Sequence, residues 1–387
     1  MFIDLHCAQE KKYGQEAFGD YFASRKFFEE GRLIAVLSDG LGSGIKANIL
    51  SCMTATMLLR FVEEAVPIKK AAEIIMNSLP VCKVRGLSYA TLSAVECDDE
   101  GQVRIVEEGN PGFIWLWGLE ERSSGRRAVL SPAFPDRKLE TSRFQAESGD
   151  RLIICTDGVT QAGLGRPGPQ HGGLGREGLL EILRRRIKMD PNIPSRDLAR
   201  HIVEEAVAVN PGRRPQDDLS ACVIHFRPPR RALVFTGAPY ERDKDFYYAR
   251  IFERFEGRKA ICGGTTAKLI ARELGRSLQV AGDSARPGLP PLAHMEGADL
   301  VTEGLLTLTR ALEYLERGQS RAEDPAGALV RFLLQSDALH FMVGAGLNQA
   351  HYDPALPVEY ELRSNIVKKI AEILKDKYLK NVTRQKI

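Results

Sequence analysis

Arg32-Leu33-Ile34-Ala35-Val36-Leu37-Ser38-Asp39-Gly40 and Arg151-Leu152-Ile153-Ile154-Cys155-Thr156-Asp157-Gly158 are two versions of one phrase. Each is a short apolar run that starts on an arginine and ends on Asp-Gly. Continuous apolar runs of this length read as strands buried on both faces. A carboxylate at the end of such a strand is held rigidly at the rim of a sheet, and the following glycine lets backbone approach whatever the carboxylate holds. Two such rims side by side repel unless a cation sits between them. Hard divalent cations such as Mg2+ or Mn2+ suit oxygen ligands and use few carboxylates.

Outward from these strands, short runs rich in β-branched residues alternate with stretches of helical period from Asp4 to about Phe226. The pattern predicts strands at Leu33 to Leu37, Ala90 to Glu96, Val103 to Glu107, Phe113 to Trp117, Arg151 to Thr156 and Leu219 to Phe226. It predicts helices at about 45 to 64, 67 to 79, 177 to 188 and 195 to 209. Asp98-Asp99-Glu100-Gly101 and Gly109-Asn110-Pro111-Gly112 supply turn residues, so the strands between 90 and 117 are expected to form antiparallel hairpins. Helix pairs set apart from hairpins imply layered α+β architecture.

Arg227-Pro228-Pro229-Arg230-Arg231 interrupts this pattern, because two prolines cannot continue a central strand. A chain of 387 residues also exceeds the usual size of one core. We therefore expect a first domain over 1–228 and a smaller α/β domain over 229–387. The second begins with a strand at Ala232 to Thr236, has helices at Ala267 to Leu274 and Ile366 to Tyr378, and contains a loop from Gly282 to Pro291. Within it, Ile261-Cys262-Gly263-Gly264-Thr265-Thr266-Ala267-Lys268 reads as a strand, a glycine turn and a helix start, with Thr265 or Thr266 as the cap. A helix start of this kind can also bind an anion, but no dinucleotide or P-loop fingerprint is complete.

Hydrophobic residues make up 43% and charged residues 27%, the mix of a folded globular chain. A net charge of +3 gives no global field for nucleic acid or an anionic membrane, so neither is an expected partner. The seven cysteines are scattered without a C-x-x-C spacing, which indicates neither a disulfide framework nor a zinc site. No run of about 18 apolar residues stands out as a spanning helix. A reducing cytoplasm is the expected location.

Two further acidic positions could join the paired strand ends: Asp20 in Phe18-Gly19-Asp20-Tyr21, and Asp217-Asp218 just before the strand from Leu219. An Asp at a turn or strand end also caps backbone N–H groups, and spacing leaves both readings open. In order along the chain stand Gly19-Asp20, Ser38-Asp39-Gly40-Leu41-Gly42-Ser43-Gly44, Ala90-Thr91-Leu92, Gly109-Asn110-Pro111-Gly112, Thr156-Asp157-Gly158-Val159-Thr160, Gly173-Leu174-Gly175 and Gln216-Asp217-Asp218-Leu219-Ser220. This series resembles the PP2C-type protein phosphatases, in the bacterial branch of the stage II sporulation protein E and the stress-response phosphatases.

The resemblance covers about residues 4 to 226. It implies an antiparallel β-sandwich flanked by helices, with two divalent cations, Mn2+ or Mg2+, at one edge. By the family pattern Asp39 would bridge both cations, Asp20 and the Gly40 carbonyl would serve one, and Asp157 with Asp217 the other. Asp39, Asp157 and Asp217 are the expected catalytic positions. Asp218 is given a supporting role. The implied activity is hydrolysis of phosphoserine or phosphothreonine on a bacterial regulatory protein by a metal-activated water, and an anti-sigma-factor antagonist is one candidate substrate.

The sequence departs from eukaryotic relatives at Leu41, where they often carry a His, and it shows no counterpart of their phosphate-binding Arg. Arg213 and Arg214 could grip phosphate, although basic runs such as these and Arg184-Arg185-Arg186 also make ordinary solvated faces. The glycine- and proline-rich stretch from Gln161 to Gly172 reads as a flap after a metal ligand or as an ordinary loop, and its His171 is given no catalytic role. The alternative to an enzyme is a catalytically silent, partner-binding regulator that keeps the fold. A two-metal nuclease is disfavoured, since no basic groove is evident.

Overall fold

The computed structural model describes residues 1–42, 44–78, 90–125, 127–131, 134–165, 172–280, 290–319, 322–344 and 356–387. It divides into two compact units, Met1–Pro228 and Pro229–Ile387. Most of the expected loop from Gly282 to Pro291, and the part of the expected flap that carries His171, lie outside the described residues.

In the first unit, strands β1 (Phe2–Glu10), β2 (Asp20–Phe27) and β3 (Arg32–Asp39) precede helices α1 (Ile45–Glu63) and α2 (Ile68–Ser78). Strands β4 (Leu92–Asp98), β5 (Gln102–Glu108), β6 (Ile114–Trp117), β7 (Glu120–Arg122), β8 (Arg127–Ser131), β9 (Phe134–Gln145) and β10 (Asp150–Cys155) follow. The short helix α3 (Asp157–Thr160), helices α4 (Gly175–Met189) and α5 (Ser195–Val209), and strand β11 (Leu219–Arg227) complete it. One sheet has the order β1-β11-β10-β6-β7, the other β2-β3-β4-β5-β9-β8, and both are antiparallel.

Alternation along the strands explains the layering. Ile153, Cys155, Ala221 and Val223 pack under α4 and α5, while Ile34, Val36, Ala94 and Val106 pack under α1 and α2. The intervening residues, among them Leu33, Leu37, Leu152, Ile154 and Cys222, are also buried. They fill the space between the sheets, where Trp115 of β6 stacks on Phe144 of β9 with centroids 4.0 Å apart. The Cys222 thiol is pushed up by burial and by Cys97 of the facing sheet. The first unit is thus an α+β sandwich of two antiparallel sheets with a helix pair on each outer face.

Two expectations about local structure change. The turn Gly109 to Gly112 does not close a hairpin, because β5 pairs with β9 while β6 crosses to the other sheet. The Glu107 carboxylate accepts from the Phe113 amide at 3.0 Å and holds this corner. Helix α1 is long and apolar enough to cross a membrane by length and composition, although Asn48, Ser51 and Thr54 break up its apolar run in the sequence. Here Ala47, Ala55, Leu58 and Val62 lie buried against the sheet, while Ile45, Ile49 and Met53 on the outer face are exposed.

The second unit contains β12 (Arg231–Thr236), α6 (Asp245–Arg254), β13 (Arg258–Cys262), α7 (Gly264–Leu274), β14 (Leu278–Val280), β15 (Ala293–Met295) and β16 (Leu300–Thr302). After these come α8 (Leu305–Arg317), α9 (Pro325–Leu334), β17 (Ala338–Val343), α10 (Leu356–Asp376) and β18 (Asn381–Lys386). Its sheet has the order β14-β15-β16-β13-β12-β17-β18, parallel except at β14 and β15. Ala232 and Val234 face α8, α9 and α10, whereas Leu233 and Phe235 face α6 and α7, so this is an α/β unit covered on both sides. Thr265 and Thr266 lie inside α7 instead of capping it; Gly263, at φ 145°, occupies the cap.

One half-buried histidine links the first unit's fold to pH. On β1, burial together with Arg200 and Arg196 of α5 lowers the His6 imidazole from 6.5 to about 4. The unfolded chain therefore binds a proton that the folded one refuses, and stability falls as pH drops through that window. Both tryptophans, Trp115 and Trp117, lie in the first unit, so their fluorescence follows its unfolding alone. Between pH 6.5 and 4 the wild-type urea midpoint should fall relative to that of His6→Gln, a comparison in which the opposing effect of the raised Asp20 and Asp39 carboxyls cancels. An identical slope in the variant would show that His6 does not carry it.

Candidate metal centre

The site grows from the ends of four strands. Asp20 opens β2 and Asp39 closes β3, and the antiparallel register sets the two opposite each other. Asp157 follows β10 as the first residue of α3, and Asp217 lies two residues before β11. A Cβ on Gly158 would stand 2.0 Å from the Asp218 carbonyl oxygen and 3.4 Å from the Asp217 Cβ, which places the β10 and β11 ends in contact. Gly40 is hemmed in more tightly still: a Cβ there would meet the Ala47 carbonyl oxygen at 2.0 Å. The glycine of the first Asp-Gly pair thus lets α1 seat against β3.

Electrostatics shows that the four acids share one edge. Burial pushes the Asp39 carboxyl upward, and the charges of Asp20, Asp157 and Asp217 push it further. Burial also raises Asp20 and Asp217, with Asp157 adding to the shift at Asp217. Hydroxyl donors oppose the shift at Asp20: Thr156 Oγ1 donates to Asp20 Oδ2 at 2.8 Å and Ser220 Oγ at 2.6 Å. These two donors come from the other sheet, so Asp20 ties the two sheets together at the acidic edge.

Asp39 is positioned through its backbone. Thr91 Oγ1 accepts from the Asp39 amide at 2.9 Å, and the Thr91 amide donates to the Asp39 carbonyl at 2.8 Å. Thr91 Oγ1 in turn donates to Asn110 Oδ1 at 2.7 Å, and Asn110 Nδ2 donates to Ser93 Oγ at 3.0 Å. Gln161 Nε2 holds Asp157 Oδ2 at 2.9 Å. Thr91, Asn110, Thr156 and Ser220 stand within the sequence motifs, which by themselves assign them none of these tasks. The available signal was a hydroxyl or amide placed beside a strand that is otherwise apolar.

Asp218 behaves differently from its neighbour. Its Oδ2 accepts from the Gly19 amide at 2.7 Å and its Oδ1 from the Lys12 amide at 3.0 Å, so this buried carboxylate holds the segment between β1 and β2. The Arg214 guanidinium lies over the Tyr13 ring, 4.6 Å from its centroid. Arg184 and Arg185 bond the Leu119 carbonyl and Glu205.

Among the described residues, no group of three His, Cys, Asp or Glu side chains stands in a spacing that could hold a metal ion. The donor chemistry of the edge nevertheless fits a hard cation: the four clustered side chains are carboxylates, and a positive charge among them would relieve the repulsion that raises Asp39.

Residues 29–227, slightly over half of the chain, match the profile of the stage II sporulation protein E (SpoIIE) family. The chain belongs to that family. Among solved structures, the PP2C phosphatase domain with a regulatory fragment of SpoIIE from Bacillus subtilis is similar at 19% identity and a TM-score of 0.47, over 58% of this chain and 62% of that one. The chain therefore spans less than two thirds of the length of that relative. The RsbU and RsbW domains of a Mycobacterium tuberculosis protein match at 16% identity and a TM-score of 0.47, over 71% of this chain and 70% of that one. RsbX in complex with magnesium matches at 20% identity and a TM-score of 0.40, covering 58% and 94%. A comparison with curated proteins found no match. For this SpoIIE-family chain, family membership and the observed sandwich agree on a PP2C-like first unit.

The Asp218 contacts lead to a direct test. An amide at this position keeps one acceptor oxygen and turns an NH2 group toward a backbone donor. Losing a hydrogen bond to a buried charge costs about 1.5–3 kcal/mol. Hydrogen exchange of the amides at Lys12 and Gly19 should therefore accelerate by roughly 10- to 100-fold in Asp218→Asn. Unchanged protection at both amides would remove Asp218 from this role.

Proposed function

We propose that the first unit is a metal-dependent serine/threonine protein phosphatase, with a phosphorylated bacterial regulatory protein as substrate. The observation that carries this reading is the convergence of Asp20, Asp157 and Asp217 on the half-buried Asp39 at one edge of a PP2C-like sandwich. Clustering like charges is costly, and an edge that does so is suited to holding cations.

In this reading Asp39, Asp20, the Gly40 carbonyl, Asp157 and Asp217 would together hold two divalent cations, Mn2+ or Mg2+. When bound, such a pair supplies Lewis acidity to phosphoryl oxygens and makes hydroxide accessible near neutral pH. The protein's own part is placement. Thr156 and Ser220 hold one oxygen of Asp20, leaving its other oxygen toward the shared edge. Thr91, braced by Asn110, fixes the backbone that carries Asp39 and Gly40. Gln161 restrains Asp157 from within its own helix turn. No side-chain nucleophile is required, because the attacking group is water.

An anti-sigma-factor antagonist remains the candidate regulatory substrate, in keeping with the family. The same reading takes neither nucleic acid nor a membrane as partner and places the protein in the cytoplasm, supported by the net charge of +3 and the scattered cysteines. One observation favours a second reading, a silent partner-binding regulator: no three-ligand group is assembled among the described residues.

Activity on a phosphoserine peptide separates the two. The phosphatase reading expects turnover with Mn2+ or Mg2+ and none after exhaustive chelation. At saturating Mn2+, Asp39→Asn should lower turnover by more than about 100-fold, beyond the 10- to 100-fold typical of a supporting residue such as Asp218. Circular dichroism checks that each variant is folded. Full activity after chelation would overturn the metal mechanism, and an inert wild-type chain with bound metal would establish the silent regulator.

A further inference from the structure

The sheet of the second unit reverses its winding at its carboxyl edge. From β12 the parallel strands grow outward one way through β13 and β16, and the other way through β17 and β18. The direction of winding therefore reverses between β12 and β17. In open α/β sheets the crevice at such a reversal, outside the carboxyl ends of the strands, is where ligands bind. Here the two ends are Thr236 and Val343, adjacent in register.

Both strands leave through glycine. A Cβ on Gly237, at φ +84°, would stand 2.7 Å from the Gly344 carbonyl oxygen, and one on Gly344 would stand 2.1 Å from the Ala238 carbonyl oxygen. Bare backbone thus forms the floor of the crevice. Arg363 of α10 brings its Nη1 to 2.7 Å from the same Cβ position on Gly237, placing a guanidinium at the mouth of the turn. The fully buried Thr236 hydroxyl has no hydrogen-bond partner among the described residues. Alternation with Ala232 and Val234 turns it to the face covered by α10, the helix that carries Arg363.

Two further observations point to a ligand with both a phosphate and a ring. Glu303 accepts from the Leu306 amide at the start of α8 and Asp324 from the Gly327 amide at the start of α9, but α7, which follows the neighbouring strand β13, has no side-chain cap. Its first amides are open to an anion at the same edge. The loop leaving β12 and the first turn of α6 expose three large rings, with Tyr240 at 69%, Phe246 at 58% and Tyr247 at 61%. Exposed aromatic rings provide a stacking surface for a nucleobase.

We propose that this crevice binds a mononucleotide, with its phosphate over Gly237 between Arg363 and the open amides of α7, and its base against Tyr240. Neither a dinucleotide nor a P-loop fingerprint is complete in the sequence, so the choice of a single phosphate rests on Arg363 and the uncapped start of α7 at this edge. The site is independent of the phosphatase chemistry proposed for the first unit.

The experiment is isothermal titration of the full chain carrying Asp39→Asn, in EDTA, so that the acidic edge of the first unit takes no part. The probes are AMP, GMP, adenosine and inorganic phosphate. AMP or GMP should bind more tightly than adenosine or inorganic phosphate. Arg363→Gln should weaken the nucleotide by about 10- to 100-fold, as expected for a charge-assisted contact. Tyr240→Ala, at an exposed position, should weaken the nucleotide by about 5- to 150-fold and leave phosphate binding unchanged. Arg363→Lys, which keeps the charge without the fork, should fall between wild type and Arg363→Gln, and it stands in should the Gln variant disturb α10. Failure of both mononucleotides to bind, equal binding by the arginine variants, or binding of inorganic phosphate alone would each overturn the proposal.

Discussion

The buried Asp20 carboxylate accepts hydroxyl bonds from Thr156 and Ser220, which belong to the sheet opposite its own. Burial works against its charge and the two hydroxyls work for it, a competition that leaves the group raised above the ordinary carboxylate range. The same oxygen that satisfies this electrostatic need also fixes where the edge of one sheet stands relative to the other. Because Asp39 lies opposite Asp20 in register, that clasp determines where all the remaining acids meet. An apolar pair at these positions could join the sheets, but it could not gather charge.

Around this clasp the backbone is organised to leave room. Gly40 allows α1 to seat on β3, and Thr91 with Asn110 secures the strand end from the opposite side. Asp218, although next in sequence to Asp217, faces backbone amides instead of the shared edge. Adjacent acids in a Gln-Asp-Asp-Leu run thus separate into one that builds the scaffold and one that joins the cluster.

Much of this was legible because the buried strands announce themselves. Leu33 to Leu37 and Leu152 to Cys155 are apolar at every position since both faces are covered, and the acids that end them are conspicuous by contrast. The strands β2 and β9 were not legible. Lys26, Lys138, Glu140 and Arg143 interrupt their pattern, as suits strands nearer a sheet edge or with one face less covered. The Gly109 to Gly112 turn looked like a hairpin because turn residues specify a change of direction and not the partner that the next strand will find. Hydroxyl clasps escaped for a related reason: Thr156 and Ser220 are 64 residues apart, and their common partner is set by tertiary register. In the second unit the expected helices Ala267 to Leu274 and Ile366 to Tyr378 fall on α7 and the later part of α10, whereas α6, α8 and α9 were not foreseen and strand order could be read only from pairing.

The pairing of β1 with β11 has a consequence for synthesis. Phe2 stands opposite Arg227, so the first sheet closes on two strands made more than two hundred residues apart. A nascent chain emerging from the ribosome must hold the earlier strand unpaired until the later one appears, while an exposed strand edge invites association with other chains. The partner strand is followed directly by Pro228 and Pro229, which cannot extend the ladder. The chain therefore enters and leaves this unit at one place, a layout that lets the whole module be joined to different neighbours without disturbing its interior.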